Sequence, residues 1–183
     1  MRVIDIVEQA DRQIYVVGDS IAVGIKKAGN ADGIAEGGKD SNVILGFVST
    51  LVKQTNLDGA VVILSSGASN STFERESGES KSLDVEPIIK QITLLKRAGA
   101  RVALVGTGSS ASKWFTNQYG KYRVNFEKEQ VNQRLSRVAQ QTGATFLGPL
   151  EEYDPSLNSS RGDGIHPFGG YSKLFQAGSL IRE

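Results

Sequence analysis

Short runs of aliphatic and β-branched residues recur along the chain, with longer amphipathic stretches between them. Ile14-Tyr15-Val16-Val17, residues 60–64, residues 101–105 and Thr145-Phe146-Leu147 are nearly continuous in apolar character, and a weaker run stands at Gly33-Ile34-Ala35. Continuous runs, as opposed to alternating ones, predict strands covered on both faces. Residues 21–28, 41–55, 85–98 and 126–142 instead carry apolar residues at the three- and four-residue spacing of one helical face. Within them Ile88, Ile92 and Leu95 share a stripe, and Gly99 follows as a C-cap. A last helix is predicted over 171–181 and a short one over 3–10. Strands alternating with helices imply right-handed crossovers and a parallel sheet with helices on both sides. The pattern thus predicts one α/β domain over residues 1–183, a three-layer α/β/α sandwich with a central parallel sheet of about five strands. In such sheets ligands bind beyond the carboxyl ends of the strands. Two long polar connections follow predicted strands: residues 71–83, rich in serine and glutamate, and residues 107–123, which hold Trp114, Phe115, Tyr119 and Tyr122.

Composition narrows the function classes. With 39% hydrophobic residues in 183, the chain can bury a sizeable core. Lysine and arginine number 21 against 20 acidic residues, so the basic excess that phosphate neutralisation calls for is missing and no nucleic-acid partner is expected. There is no cysteine and one histidine, which removes thiol nucleophiles and argues against a protein-built zinc site. No metal and no cofactor is expected. No stretch approaches a membrane span, and Asp5, Glu8 and Asp11 interrupt the N-terminal residues before a signal-peptide core could form. The expectation is therefore a cytoplasmic address by default, with a phage virion or release to the cell envelope also open. Oligomeric state is not legible.

Two short motifs carry candidate chemistry. Gly18-Asp19-Ser20-Ile21 is a sharp strand-to-helix turn that would set the Ser20 hydroxyl at the carboxyl edge of the sheet and its amide at a helix N-terminus. A serine nucleophile there needs a base and donors for the oxyanion. The same letters also suit plain helix capping, since Asp and Ser are favoured N-caps. Near the other end, Gly162-Asp163-Gly164-Ile165-His166-Pro167 places the lone histidine three residues after an aspartate flanked by glycines. That carboxylate could fix the imidazole tautomer and stabilise the imidazolium; a surface turn is the alternative.

Together these blocks resemble the first and last blocks of the SGNH/GDSL hydrolases. The resemblance implies Ser20 as nucleophile, His166 as base and Asp163 as its orienting acid. It also implies an oxyanion hole built from the Ser20 amide, a glycine after the second strand and an asparagine after the third. Gly37-Gly38-Lys39-Asp40-Ser41 lies in the second place, with Gly38 the better match, and Ser65-Ser66-Gly67-Ala68-Ser69-Asn70 lies in the third. The third block departs from the family's Gly-x-Asn-Asp, because the asparagine comes one residue late and Ser71 stands where the aspartate would be. Either Asn70 is the donor across one extra residue, or Ser69 serves with its shorter hydroxyl. Asn70 is favoured, since an amide reaches further and keeps its proton.

The implied activity is that of a serine esterase acting on small acyl esters, acetyl above all, through an acyl-enzyme. The connections at the carboxyl edge are rich in Gly, Ser and Asn with a few aromatics, and no apolar run fits an acyl-chain tunnel. Aromatic faces beside small polar residues suit a sugar ring, so deacetylation of a carbohydrate, a small-molecule or polysaccharide ester, is the first expectation and a short-chain acyl ester or lysolipid the second. Asp19, Gly67 and Trp114 are the expected substrate contacts. The alternative is that Trp114 and Phe115 only pack a loop onto the domain. A rival from another class is a non-catalytic carbohydrate-binding or structural module on the same fold. Gly106-Thr107-Gly108-Ser109-Ser110-Ala111 matches a phosphate fingerprint but lacks the following acidic strand end, and reads as a wall of the cleft. Arg161-Gly162-Asp163 and the acidic set Glu74, Glu76 and Glu79 read as chance and solvation.

Overall fold

The computed structural model describes residues 13–67, 73–75, 83–107, 112–117, 120–125, 128–157, 166 and 169–181. The helix predicted over 3–10 lies outside them. The first apolar run forms β1 (Ile14–Gly18), followed by α1 (Ser20–Gly29) and α2 (Ser41–Gln54). Then come β2 (Val61–Ser65), a short β3 (Phe73–Arg75), α3 (Glu86–Arg97) and β4 (Arg101–Val105). A hairpin of β5 (Ser112–Asn117) and β6 (Gly120–Asn125) precedes α4 (Lys128–Thr142), β7 (Thr145–Leu147), two single-turn 3-10 helices and α5 (Tyr171–Ser179).

Four strands pair in the order β1-β2-β4-β7, all parallel. The expected fifth strand at 33–35 is reduced to two isolated bridges, Tyr15 to Asp32 and Gly18 to Ala35. The segment still covers the outer edge of β1, through Val16 N–H to the Asp32 carbonyl at 2.9 Å and Gly18 N–H to the Ile34 carbonyl at 3.0 Å. It lacks the continuous bulky run that the other strands use to hold both faces, which explains its brevity.

Alternation along the buried strands divides the core in two. Tyr15, Val17, Val62, Leu64, Val102 and Leu104 pack with α2, α3 and α4, against Ile44, Val48, Ile88, Ile92 and Leu135. Val16, Ile63, Ala103, Val105 and Leu147 pack with α1 and α5, against Ile21, Ile25 and Leu174. Each such side chain taken out of water contributes roughly 1.5–3 kcal/mol. Helix α5 sits close on α1 because the rings of Tyr171 and Phe175 lie over Gly24 and Gly29. Among the described residues no helix is long and apolar enough to cross a membrane.

The two connections read from sequence as polar loops contain strands. They supply β3, β5 and β6, which pair antiparallel in the order β3-β6-β5 as a second sheet. Only β6, Gly-Lys-Tyr-Arg-Val-Asn, shows the polar and apolar alternation of a strand; β3 and β5 do not, and their serine, glutamate and lysine content reads as loop.

Gly18 ends β1 at φ +144°, and a Cβ there would collide with the Ser65 carbonyl. Gly46, in the middle of α2, has open space around it. Gly18→Ala is therefore expected to lower stability by about 3–5 kcal/mol, from left-handed strain plus overpacking. Gly46→Ala should raise it by up to ~1 kcal/mol through helix propensity. Urea denaturation of both variants checks the pair.

Candidate active site

The turn between β1 and α1 is built by a reciprocal pair of contacts with the end of β2. The Asp19 amide donates to the Ser65 carbonyl at 3.1 Å, and the Ser65 hydroxyl donates to Asp19 Oδ1 at 2.8 Å. The same Oδ1 accepts the Ile21 amide at 3.0 Å, making Asp19 the N-cap of α1. Ser20 is then the first helical residue, half-buried, at the carboxyl end of β1 with its amide at the positive end of α1. The capping and nucleophile readings of Gly-Asp-Ser are therefore compatible, because Asp19 caps and leaves the next residue at the edge.

Asp19 was expected to contact substrate, and here the structure corrects the sequence. Its side chain is wholly buried behind Ser20, with the carboxylate turned to Ser65. Loss of solvation pushes its pKa up to about 6; the Ser65 hydroxyl, the amides of Ile21 and Ala22 and the charge of His166 pull weakly the other way. Among the described residues Oδ2 meets no donor of hydrogen-bonding geometry.

The second block lies beside the nucleophile. A Cβ on Gly37 would stand 3.8 Å from Ser20 Cβ, and the Glu36 amide donates to the Gly18 carbonyl at 3.0 Å. Gly38 follows at φ +72° with nothing within 4 Å of an added Cβ, so its glycine answers to backbone conformation, not to crowding. Asp40 then caps α2 through the amides of Asn42 at 2.9 Å and Val43 at 3.0 Å. Buried Gln91 of α3 holds the start of that helix by donating to the Ser41 carbonyl at 2.6 Å.

His166 is exposed and lies within electrostatic reach of Asp19. The segment that carries it is closed at its neck. The Gly169 amide donates to the Ser156 carbonyl at 3.1 Å, and Lys173 of α5 pairs with Asp154 at 2.9 Å. The Ser156 hydroxyl and amide also donate to Asp154, and with Lys173 they hold its carboxyl well below the usual carboxylate range. Asp163, Ser69 and Asn70 lie outside the described residues.

Gly67, another expected substrate contact, is buried beneath Leu83 and Ile88, where its lack of a side chain admits them. Trp114 lies in β5, opposite Arg123 of β6. A separate cleft of about 530 Å³ opens between α4 and the end of β7, lined in part by Arg137, Phe146 and Pro149, and holds none of the candidate residues. Sequence reasoning missed the roles of Ser65 and Gln91. Ser65 had a signal, as the polar end of the apolar run 61–64; Gln91 had none beyond its place among the apolar residues of α3.

Because folding raises the Asp19 pKa from 3.8 to about 6, the folded state keeps its proton where the unfolded chain has lost it. Stability is therefore highest below pH ~4 as far as this group is concerned, falls as pH rises to ~6, and stays lower by on the order of 3 kcal/mol above that. Asp19→Asn retains an acceptor for Ile21 and Ser65 and lacks the ionisation. Its stability relative to the wild type should climb between pH 4 and 6 and level off beyond. Urea melts at pH 4, 5, 6 and 7 read this directly, and a pH-independent difference would contradict it.

No family model matches the chain, and no curated protein matches it in sequence. Its fold matches solved structures. A protein assigned as an acylhydrolase from Bacteroides fragilis superposes with a TM-score of 0.60 at 20% identity, over 91% of this chain and 84% of that one. A GDSL-like lipase from Bacteroides thetaiotaomicron gives 0.60 at 17% identity, over 92% and 86%. The SGNH-hydrolase family esterase AlinE4 gives 0.51 at 15% identity, over 91% and 92%. The parallel sheet and its two helical layers thus share the fold of these acylhydrolase, GDSL-like lipase and SGNH-hydrolase structures.

Proposed function

We propose that this protein is a serine esterase that removes small acyl groups, acetyl first, from a carbohydrate. The observation that carries the reading is the Gly18-Asp19-Ser20 turn itself, which sets Ser20 half-buried at the carboxyl edge of the parallel sheet with its amide at the start of α1. The SGNH-type fold and the Gly37-Gly38 block beside Ser20 support it. Ser20 Oγ attacks the ester carbonyl while His166 accepts its proton. The tetrahedral oxyanion is held by the amides of Ser20 and Gly38 and by the Asn70 side chain. His166 then protonates the leaving alkoxide, and Asp163 orients and stabilises the imidazolium. Water, deprotonated by His166, attacks the acyl-enzyme and releases the acid. The late position of Asn70 favours a second reading, a carbohydrate-binding module that keeps the fold without turnover.

Hydrolysis of p-nitrophenyl acetate, with and without a serine-directed organophosphonate, separates the two. The esterase turns over and is labelled once, on Ser20. Ser20→Ala should abolish labelling and lower kcat by on the order of a millionfold with the fold intact. Activity retained within about tenfold would reject Ser20 as nucleophile.

The irregular third block has its own test. Removing one oxyanion donor typically costs ~10²–10³ in kcat, with little change in KM, because the charge is met only in the transition state. Asn70→Ala should show that loss and Ser69→Ala should not. The reverse outcome would assign the donor to the Ser69 hydroxyl.

A further inference from the structure

One face of α3 touches both the second and the third block. Ile88 and Gln91, three residues apart, share that face. The Ile88 side chain seats on Gly67, where an added Cβ would stand 2.9 Å from Ile88 Cδ1. One turn along, Gln91 Nε2 donates to the carbonyl of Ser41, the first residue of α2, at 2.6 Å. Gln91 is buried on the stripe of Ile88, Ile92 and Leu95, and its Oε1 meets no partner among the described residues. A buried amide with one end unsatisfied costs stability that an apolar side chain of similar volume would not. Nor is its bond needed to satisfy α2. The first carbonyl of an α-helix accepts from the amide four residues on, and Asp40 already caps the amides of Asn42 and Val43. What the bond does fix is where α2 starts relative to α3.

That start bears on Gly38, three residues earlier. The near end of the Gly37-Gly38 segment is held by the Glu36 amide on the Gly18 carbonyl at 3.0 Å. Glu36 also pairs with Lys39 at 2.8 Å, an ion pair exposed enough to be of small worth. Both glycines are exposed, and nothing lies within 4 Å of a Cβ added to Gly38, so crowding does not set its place. The far anchor, at Ser41, does. We propose that Gln91 is a positioning residue of the oxyanion hole: by tying Ser41 to the helix that seats on Gly67, it fixes the Gly38 amide relative to the Ser20 turn and the third block. Gln91 touches no reacting atom and acts through the main chain of residues 38–41. A misplacement on the order of 1 Å in such a site can cost ~10²-fold in rate, because a donor acts fully only at hydrogen-bond distance from the developing oxyanion. The kinetic effect rests on the esterase reading; the tie between Gln91 and the glycine block does not.

Gln91→Met keeps the volume and removes the donor, and Gln91→Leu does the same with a stiffer side chain. Leu95→Ala, at the far end of the same helix, truncates the core and leaves the tie in place. With p-nitrophenyl acetate, both Gln91 variants should lower kcat by about tenfold or more and leave KM within about twofold. Phosphonylation by the organophosphonate should slow by the same factor, since that adduct also sets an oxygen in the hole. The urea midpoint of the Gln91 variants should stay near the wild-type value. Leu95→Ala should do the reverse, lowering the midpoint with kcat within about twofold. In amide spectra of the intact protein, the Gly37 and Gly38 resonances should move in Gln91→Met and hold in Leu95→Ala. A rate within twofold of wild type in both Gln91 variants, or unmoved glycine resonances, would overturn the proposal. So would an equal kcat loss in Leu95→Ala, which would trace the effect to stability. Failure of the esterase reading shows separately: the wild type would not turn over p-nitrophenyl acetate, while the glycine resonances of Gln91→Met would still move.

Discussion

The reciprocal bonding of Asp19 and Ser65 is the contact on which the candidate site depends. A strand that hands over to a helix at the edge of a parallel sheet must turn within about one residue while leaving no buried amide unsatisfied. Here the turn borrows the end of the neighbouring strand: the Ser65 carbonyl takes the Asp19 amide, and the Ser65 hydroxyl and Ile21 amide share one carboxylate oxygen. The close approach that allows this is possible only because Gly18 lacks a side chain. The arrangement places a carboxyl group in the interior at an energetic cost, and the gain is a helix start whose first residue has little freedom. The exit of β2, from which the third block departs, is locked to the same turn.

The other end of the chain reaches the site by a different device. Helix α5 packs tightly on α1, the helix that Ser20 begins, through the two aromatic rings over glycines. Asp154, Ser156 and Lys173 close the neck of that segment. As the ion pair is partly exposed, its worth lies more in geometry than in energy.

Legibility in the sequence followed the physics of each element. Strands β1, β2, β4 and β7 and all five described helices were readable because buried strands must be continuously apolar and core-facing helices must repeat every three or four residues. The edge segment at 32–35 is thin in that signal and thin in the structure. Positions 71–83 and 107–123 read as loops because their strands are short and most residues in each are polar or glycine. Asp19 illustrates the limit most clearly. Its letter and its neighbour predicted a turn and a cap, but nothing local distinguishes a carboxylate that faces solvent from one turned inward, because that choice belongs to Ser65, a partner that meets it only once the strands are adjacent.

The pairing of β3 with β6 has a consequence for how this scaffold changes over time. The two segments come from different crossovers, separated in the chain by α3 and β4, yet each supplies strand edges that the other satisfies. Insertion or deletion in one crossover shifts the register offered to the other, so the two are not independent units of variation. A recombination that exchanges only the first would bare the edge of β6, and one that exchanges only the second would strand Phe73–Arg75 without its partner. The second sheet can be exchanged intact only by trading both crossovers together, on a core that need not change at all.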